Sequence, residues 1–221
     1  QGAKKPMAES TQDPQADALD VRDPSAPEYD ESKSGPEDRE AEGPFDVAEV
    51  PALRPYVDLG SIKVAPREGL QMRLDVEEST QRVVAVSLDY ADSTLQVQAF
   101  SAPKSTGLWH EIRAQLSTQL VAQGATVEER EGALGLELLA ALPVTEERGG
   151  GTTAVRFIGV DGPRWVLRGV ITGAGAAETE AAAKIESLYR EPVVVRGDSP
   201  MPPRELLALR VPAGAQGAQN A

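Results

Sequence analysis

Five arginines could do recognition chemistry in this chain: Arg156, Arg164, Arg168, Arg196 and Arg204. A guanidinium offers a planar fork of donors that matches a carboxylate or a phosphate, so a cluster of them would hold an anionic group. The competing reading is internal pairing, with Asp198, Glu205 or Glu128 as partners, and the excess of 35 acidic over 22 basic side chains favours it. His110 is the only histidine and lies beside Trp109. It reads as a solvated or interfacial residue rather than a catalytic base, and one imidazole cannot build a histidine metal cluster. Glu77-Glu78, Glu128-Glu129 and Glu146-Glu147 are adjacent carboxylates, but neighbours on a strand point to opposite faces and do not converge. The glycines at 149–151 lack the Lys-Ser/Thr ending of a phosphate loop. Gly173-Ala174-Gly175 does precede a helical pattern, yet Glu178 and Glu180 already suit the dipole of its first turn. No catalytic residues, no metal site and no cofactor are expected.

The segment that must position three of those arginines, residues 154–171, reads as a β-hairpin. Runs of β-branched and aromatic residues flank Asp161-Gly162-Pro163, and Asp-Gly is turn chemistry. Pro163 has no N–H and cannot donate the closing hydrogen bond of a two-residue Asp161-Gly162 loop, so a three-residue loop Asp161-Gly162-Pro163 is expected. In that register Val160 faces Arg164, Phe157 faces Leu167, and Arg156 faces Arg168. Phe157, Trp165, Leu167 and Ile171 then form a core face, while the arginine face is exposed or salt-bridged. Like charges opposed across strands are unfavourable unless something neutralises them.

Composition narrows the function classes. The chain has 221 residues, 40% hydrophobic and 26% charged, enough for one domain with a real core plus polar segments. Residues 1–42 hold 12 acidic and 5 basic side chains, the remainder 23 and 17, so both parts are acidic. With aromatics at only 4%, a nucleic-acid partner is not expected. The absence of cysteine excludes disulfides, thiolate nucleophiles and zinc–thiolate sites. No apolar run approaches the roughly 20 residues that span a bilayer. The basic start, Lys4-Lys5, has no apolar segment behind it and is no secretory signal, so a cytoplasmic protein without membrane contact is the expectation.

Along the chain, residues 1–42 are rich in Asp, Glu, Pro, Ser and Gln and read as a disordered acidic arm. Residues 43–198 read as a single α+β domain, and 199–221 as a proline-containing extended segment with a disordered tail from Ala213. Strands are expected at 58–64, at Leu70 to Val76, at Val83 to Leu88 and at Leu95 to Ala99, where apolar and polar residues alternate. A helix follows Pro103 with Ser105 or Thr106 as N-cap and Leu108, Trp109, Ile112, Leu116 and Leu120 on its apolar face, ending at Gly124. Extended structure resumes from Thr126 and through Leu134 to Leu142, then comes the hairpin. A second helix runs from Ala176 to Arg190 with Ala182, Ile185, Leu188 and Tyr189 on one face. Val193-Val194-Val195 is a short strand. This order predicts an α+β fold, a mostly antiparallel sheet with two main helices packed on it.

The blocks Phe157 to Val170 and Val193 to Arg204, with Gly43-Pro44-Phe45-Asp46-Val47, Leu59-Gly60-Ser61, Gln96 to Phe100, Ala102-Pro103 and Trp109, resemble an actinobacterial domain-of-unknown-function family, DUF thirty-seven-ten, over roughly residues 43–212. The resemblance implies an actinobacterial cytoplasmic protein and brings no catalytic residues. The order of elements is also similar to the sandwich of PsbP, the Ran-binding Mog proteins and mycobacterial LpqN-type lipoproteins, which mostly bind partners. The expected function is a non-enzymatic protein-interaction module with an unknown protein partner, in which the arginine side of the hairpin and the Pro200 to Arg204 segment meet an acidic surface. The alternative is a small anionic-ligand-binding protein or enzyme using the same hairpin.

Overall fold

The protein is described by a computed structural model over residues 31–51 and 54–212. In chain order these form a helical turn α1 (Arg39–Glu42), β1 (Phe45–Asp46), β2 (Val57–Asp58), β3 (Ile62–Val64), β4 (Gln71–Glu77), β5 (Arg82–Tyr90), β6 (Ser93–Ser101), α2 (Trp109–Ala122), β7 (Thr126–Gly132), β8 (Gly135–Pro143), β9 (Thr152–Gly162), β10 (Trp165–Gly173), α3 (Thr179–Tyr189) and β11 (Val193–Val194). Seven strands make an antiparallel sheet ordered β4-β5-β6-β10-β9-β8-β7, and four short ones make a second sheet ordered β1-β11-β3-β2. The fold is therefore α+β and mostly antiparallel, with helices packed on the sheet.

Alternation in β6 puts Leu95, Val97 and Ala99 on one face and Gln96, Gln98 and Phe100 on the other. The first face is covered by α3 and the small sheet: Ile185, Leu188, Tyr189, Ile62 and Val194 pack there with Ile158, Val160, Trp165, Leu167 and Ile171. On the second face α2 lays Trp109, Ile112 and Leu120 over Leu138, Ala140, Val155, Phe157 and Val166. Each of the large apolar side chains buried this way contributes about 1.5–3 kcal/mol.

That two-sided core corrects the register of the hairpin. The loop is Pro163-Arg164, closed by Gly162 paired with Trp165, and Arg164 takes a left-handed φ of 61°. Pro163 does belong to the loop, but Leu167 now faces Val160, Arg168 faces Gly159, and Ile171 faces Arg156. Phe157 and Trp165 therefore lie on opposite faces, and so do Arg156 and Arg168. The reason is physical: residues 155–162 are buried on both faces, so polarity alternation could not choose between registers. Glycines choose instead. A Cβ on Gly162 would sit 2.3 Å from the Trp165 ring, and one on Gly159 would sit 2.2 Å from the Trp109 ring.

The cap of α2 is also not the expected one. Neither Ser105 nor Thr106 caps the helix; Asp161, from the hairpin, does so across the chain. Its Oδ1 accepts from the N–H of Leu108 at 2.8 Å and of Trp109 at 3.1 Å. Its Oδ2 accepts from the N–H of Ser34 at 2.9 Å, and its own N–H donates to the Ser34 carbonyl at 2.8 Å. Composition puts residues 31–42 in the acidic arm, yet they run as a strap over this carboxylate. Lys33 Nζ donates to the Gly162 carbonyl at 2.9 Å, and Arg39 pairs with Glu49 at 2.8 Å. The rest of the arm, residues 1–30, and the tail from Ala213 lie outside the described residues.

After β11 the chain returns to the large sheet. The pairing of β5 with β6 spans only Val86↔Val97 to Tyr90↔Ser93, and the C-terminal segment takes up the groups left beyond it. The N–H of Arg204 donates to the Ser101 carbonyl at 2.7 Å, the N–H of Ser101 to the Glu205 carbonyl at 2.8 Å, and the N–H of Leu207 to the Ala99 carbonyl at 2.9 Å. Leu209 bridges Val83. This insertion fixes Arg204 beside the face that α2 covers.

Candidate groove between α2 and the sheet

A groove of about 210 Å³ opens where the edge of α2 meets β6 and β10. Its apolar lining is Phe100, Ile112 and Leu116; Gln115 and Gln119 stand at its rim, and Arg168 and Arg204 supply its charge. Helical spacing explains the α2 side, since residues 112, 115, 116 and 119 share one face. On the sheet side, residue 168 of β10 pairs with residue 98 of β6, so both side chains point to the α2 face.

Arg168 is half-buried, and its guanidinium carbon lies 5.2 Å over the Phe100 ring. One Nη2–H donates to the Gln98 amide oxygen, while the buried Nε–H has no partner among the described residues. Nor does any described carboxylate pair with it. Burial accordingly depresses the pKa of this guanidinium below its ordinary value. A desolvated donor left unpaired costs about 1–3 kcal/mol. Arg204, exposed, holds Glu111 only loosely, with Nη1 3.7 Å from Oε2. The groove is thus an electropositive slot with an apolar floor on a chain that is acidic elsewhere.

The other three arginines are placed differently. Arg156 is 2% exposed on the opposite face, inside a buried ion cluster with Glu137, itself 4% exposed. Its Nη2 lies 2.7 Å from Glu137 Oε2 and 2.8 Å from Glu186 Oε1, its Nε donates to Glu137 at 3.2 Å, and its Nη1 donates to the Gly175 carbonyl at 3.1 Å. Burial pulls the Arg156 pKa down, but the hydrogen bonds and charges of Glu186 and Glu137 outweigh it and raise the pKa overall. Arg156 is therefore neutralised from within, by acids other than Asp198, Glu205 or Glu128. Arg164 sits at the hairpin tip, and Arg196 donates to the Gly197 and Ser199 carbonyls. Of the five, only Arg168 and Arg204 come together in one groove.

His110 is buried on α2, at 8% exposure, rather than solvated. Among the described residues no group of three or more His, Asp or Glu side chains could hold a metal ion, and no described helix is long and apolar enough to cross a membrane. Gly175 is occupied internally: its N–H donates to the Ser93 hydroxyl at 2.7 Å. Sequence reasoning missed Phe100, Gln115 and Gln119 as groove residues, and Gln98 as the acceptor for Arg168. The signals were faint but present, a polar residue alternating into β6 and a glutamine pair flanking the Ile112–Leu116 stripe.

The model of the family described as a protein of unknown function (DUF3710) matches residues 43–218. No curated protein and no solved structure matches the chain.

Proposed function

The chain belongs to the DUF3710 family, and from that premise we propose that it is a non-enzymatic protein-interaction module whose groove receives an acidic side chain of a partner protein. The observation that carries this reading is Arg168: a half-buried guanidinium with an unpartnered Nε–H and no described carboxylate, beside a second arginine that is only loosely paired. A charge-assisted hydrogen bond to it contributes about 1.5–3 kcal/mol, and the apolar Phe100 and Leu116 beside it weaken screening by solvent. The slot is smaller than the roughly 300–1,000 Å³ of most small-molecule sites. That size favours one side chain of a larger partner over a nucleotide. The same reading keeps two expectations: a place among PsbP- and Mog-like sandwiches, supported by an antiparallel sheet with a helix on each face, and residence in an actinobacterial cytoplasm.

Arginine side-chain NMR tests it. Short peptides containing Asp or Glu beside an aliphatic residue should shift the Arg168 Nε–H signal, and their glutamine counterparts should not. Arg204→Glu, at an exposed position, should weaken the shift without unfolding the chain. The alternative, a small anionic-ligand site or an enzyme, is supported by the same two guanidiniums. It predicts thermal stabilisation by free carboxylates, phosphates or nucleotides with no response to peptides. Silence of the Arg168 signal toward every acidic probe would sink both.

A further inference from the structure

We infer that β4 is a self-association edge, through which two copies of this chain join their large sheets into one. This rests on the β4 edge of the large sheet rather than on the groove over β6 and β10, and stands or falls separately. β4 pairs only with β5, so its outer backbone edge is open among the described residues. Such an edge is a template for another strand, and charges on it decide which strands are admitted.

The order of side chains on β4 is complementary to itself. An antiparallel pairing of two copies centred on Leu74 sets Gln71 opposite Glu77, Met72 opposite Val76, and Arg73 opposite Asp75, each twice by symmetry. Arg73 and Asp75 lie on the polar face. Arg73 holds Asp89 through Nε at 2.6 Å and Nη2 at 3.0 Å, which leaves Nη1 without a partner among the described residues. Asp75 accepts from Ser87 and Gln96 on Oδ2 alone, which leaves Oδ1 without a partner among the described residues. The two open atoms are those that would meet across the pairing. On the other face Met72 and Leu74 already pack against the main core, and Val76 stands 44% exposed at its margin. Pairing would cover Val76 with Met72 of the second copy and carry the core layer through the dyad.

The opposite edge shows the contrast. Self-pairing of β7 about its centre would set Glu129 against Glu129, and like charges directly opposed are repelled; the Arg130 it would bring opposite Glu128 is already held by Glu137 at 2.8 Å. The register irregularity in the β4–β5 ladder falls at Asp75/Val76, where β5 carries the additional residue Val84, so the outer edge of β4 is not itself bulged.

Sedimentation velocity on the full chain across a concentration series tests the inference. The wild type should convert from monomer to dimer as concentration rises. Arg73→Asp and Asp75→Arg should each weaken self-association about tenfold or more, because each opposes like charges twice. Mixed together, the two single variants should form a heterodimer. The aspartate introduced in one copy then meets the arginine introduced in the other, and the unchanged Asp75 of the first meets the unchanged Arg73 of the second. Val76→Lys, at an exposed site that leaves the Arg73 and Asp75 networks untouched, should also give a monomer even if the charge variants are unstable. A wild type that stays monomeric at every concentration, or a dimer that survives Val76→Lys, would overturn the inference.

Discussion

Arg156 and Arg168 are the same residue type on one hairpin, and replacing each with methionine should have opposite consequences. Arg156→Met removes four hydrogen bonds and leaves the Glu137 carboxylate, 4% exposed, without its main counter-charge. Breaking a buried pair in this way costs about 3–5 kcal/mol. Two features pull the figure toward the low end: Glu137 keeps Arg130 at 2.8 Å, and Glu186 is 23% exposed and can take water. A loss of about 3 kcal/mol, or a fall in Tm of about 6–12 °C for a domain of this size, is expected. Arg168→Met strands no carboxylate. It gives up the stacking on Phe100, about 0.5–1 kcal/mol, and the hydrogen bond to the Gln98 amide oxygen, about 1.5 kcal/mol, and gains back the cost of the unpartnered Nε–H, about 1–3 kcal/mol. Its stability should stay within about 1 kcal/mol of wild type or rise, while its response to acidic peptides disappears. Urea denaturation at constant m-value reads both. Equal losses in the two variants, or a loss below about 1 kcal/mol in Arg156→Met, would refute the assignment of one arginine to structure and the other to binding.

Asp161 and Glu49 give two further tests. Asp161→Ala strips the acceptor from the N–H groups of Leu108, Trp109 and Ser34 together; a cap loss of about 1–2 kcal/mol plus at least one stranded donor gives about 3 kcal/mol, and hydrogen exchange should quicken at Ser34 and at the start of α2 in the same variant. Glu49 should show in the acid limb of the stability curve. Its burial favours the neutral acid, but hydrogen bonds from Arg39 and from the Asp46 N–H prevail and hold its pKa below the ordinary 4.5. A carboxylate with a depressed folded pKa adds stability that is complete above the unfolded value and is lost as pH falls through the folded one, so Glu49→Gln should flatten the loss below pH 4.5, measured by denaturation between neutral and strongly acidic pH.

The elements themselves were legible in the chain because each obeys a local rule. Leu70 to Val76 and Leu95 to Ala99 alternate with polar residues since one face meets water or the rim of the core, and Ile112, Leu116 and Leu120 repeat at helical spacing since α2 buries one stripe. From those periods the antiparallel α+β class could be read, and the arginine content marked the hairpin and the Pro200 to Arg204 segment as the place to look. Tertiary structure alone decided the rest. Residues 155–162 are buried on both faces, so no polarity pattern could set the hairpin register, and the deciding contacts are Trp109 over Gly159 and Trp165 over Gly162. The cap of α2 comes from Asp161, more than fifty residues away, while the local capping signal at Ser105 and Thr106 goes unused. Register then separates the arginines: twelve positions apart along the chain, Arg156 and Arg168 fall on opposite sides of the sheet, one among acids that neutralise it and one over an aromatic ring with none. Charge type is written in a sequence, but which counter-charge a side chain meets depends on the face to which the pairing turns it.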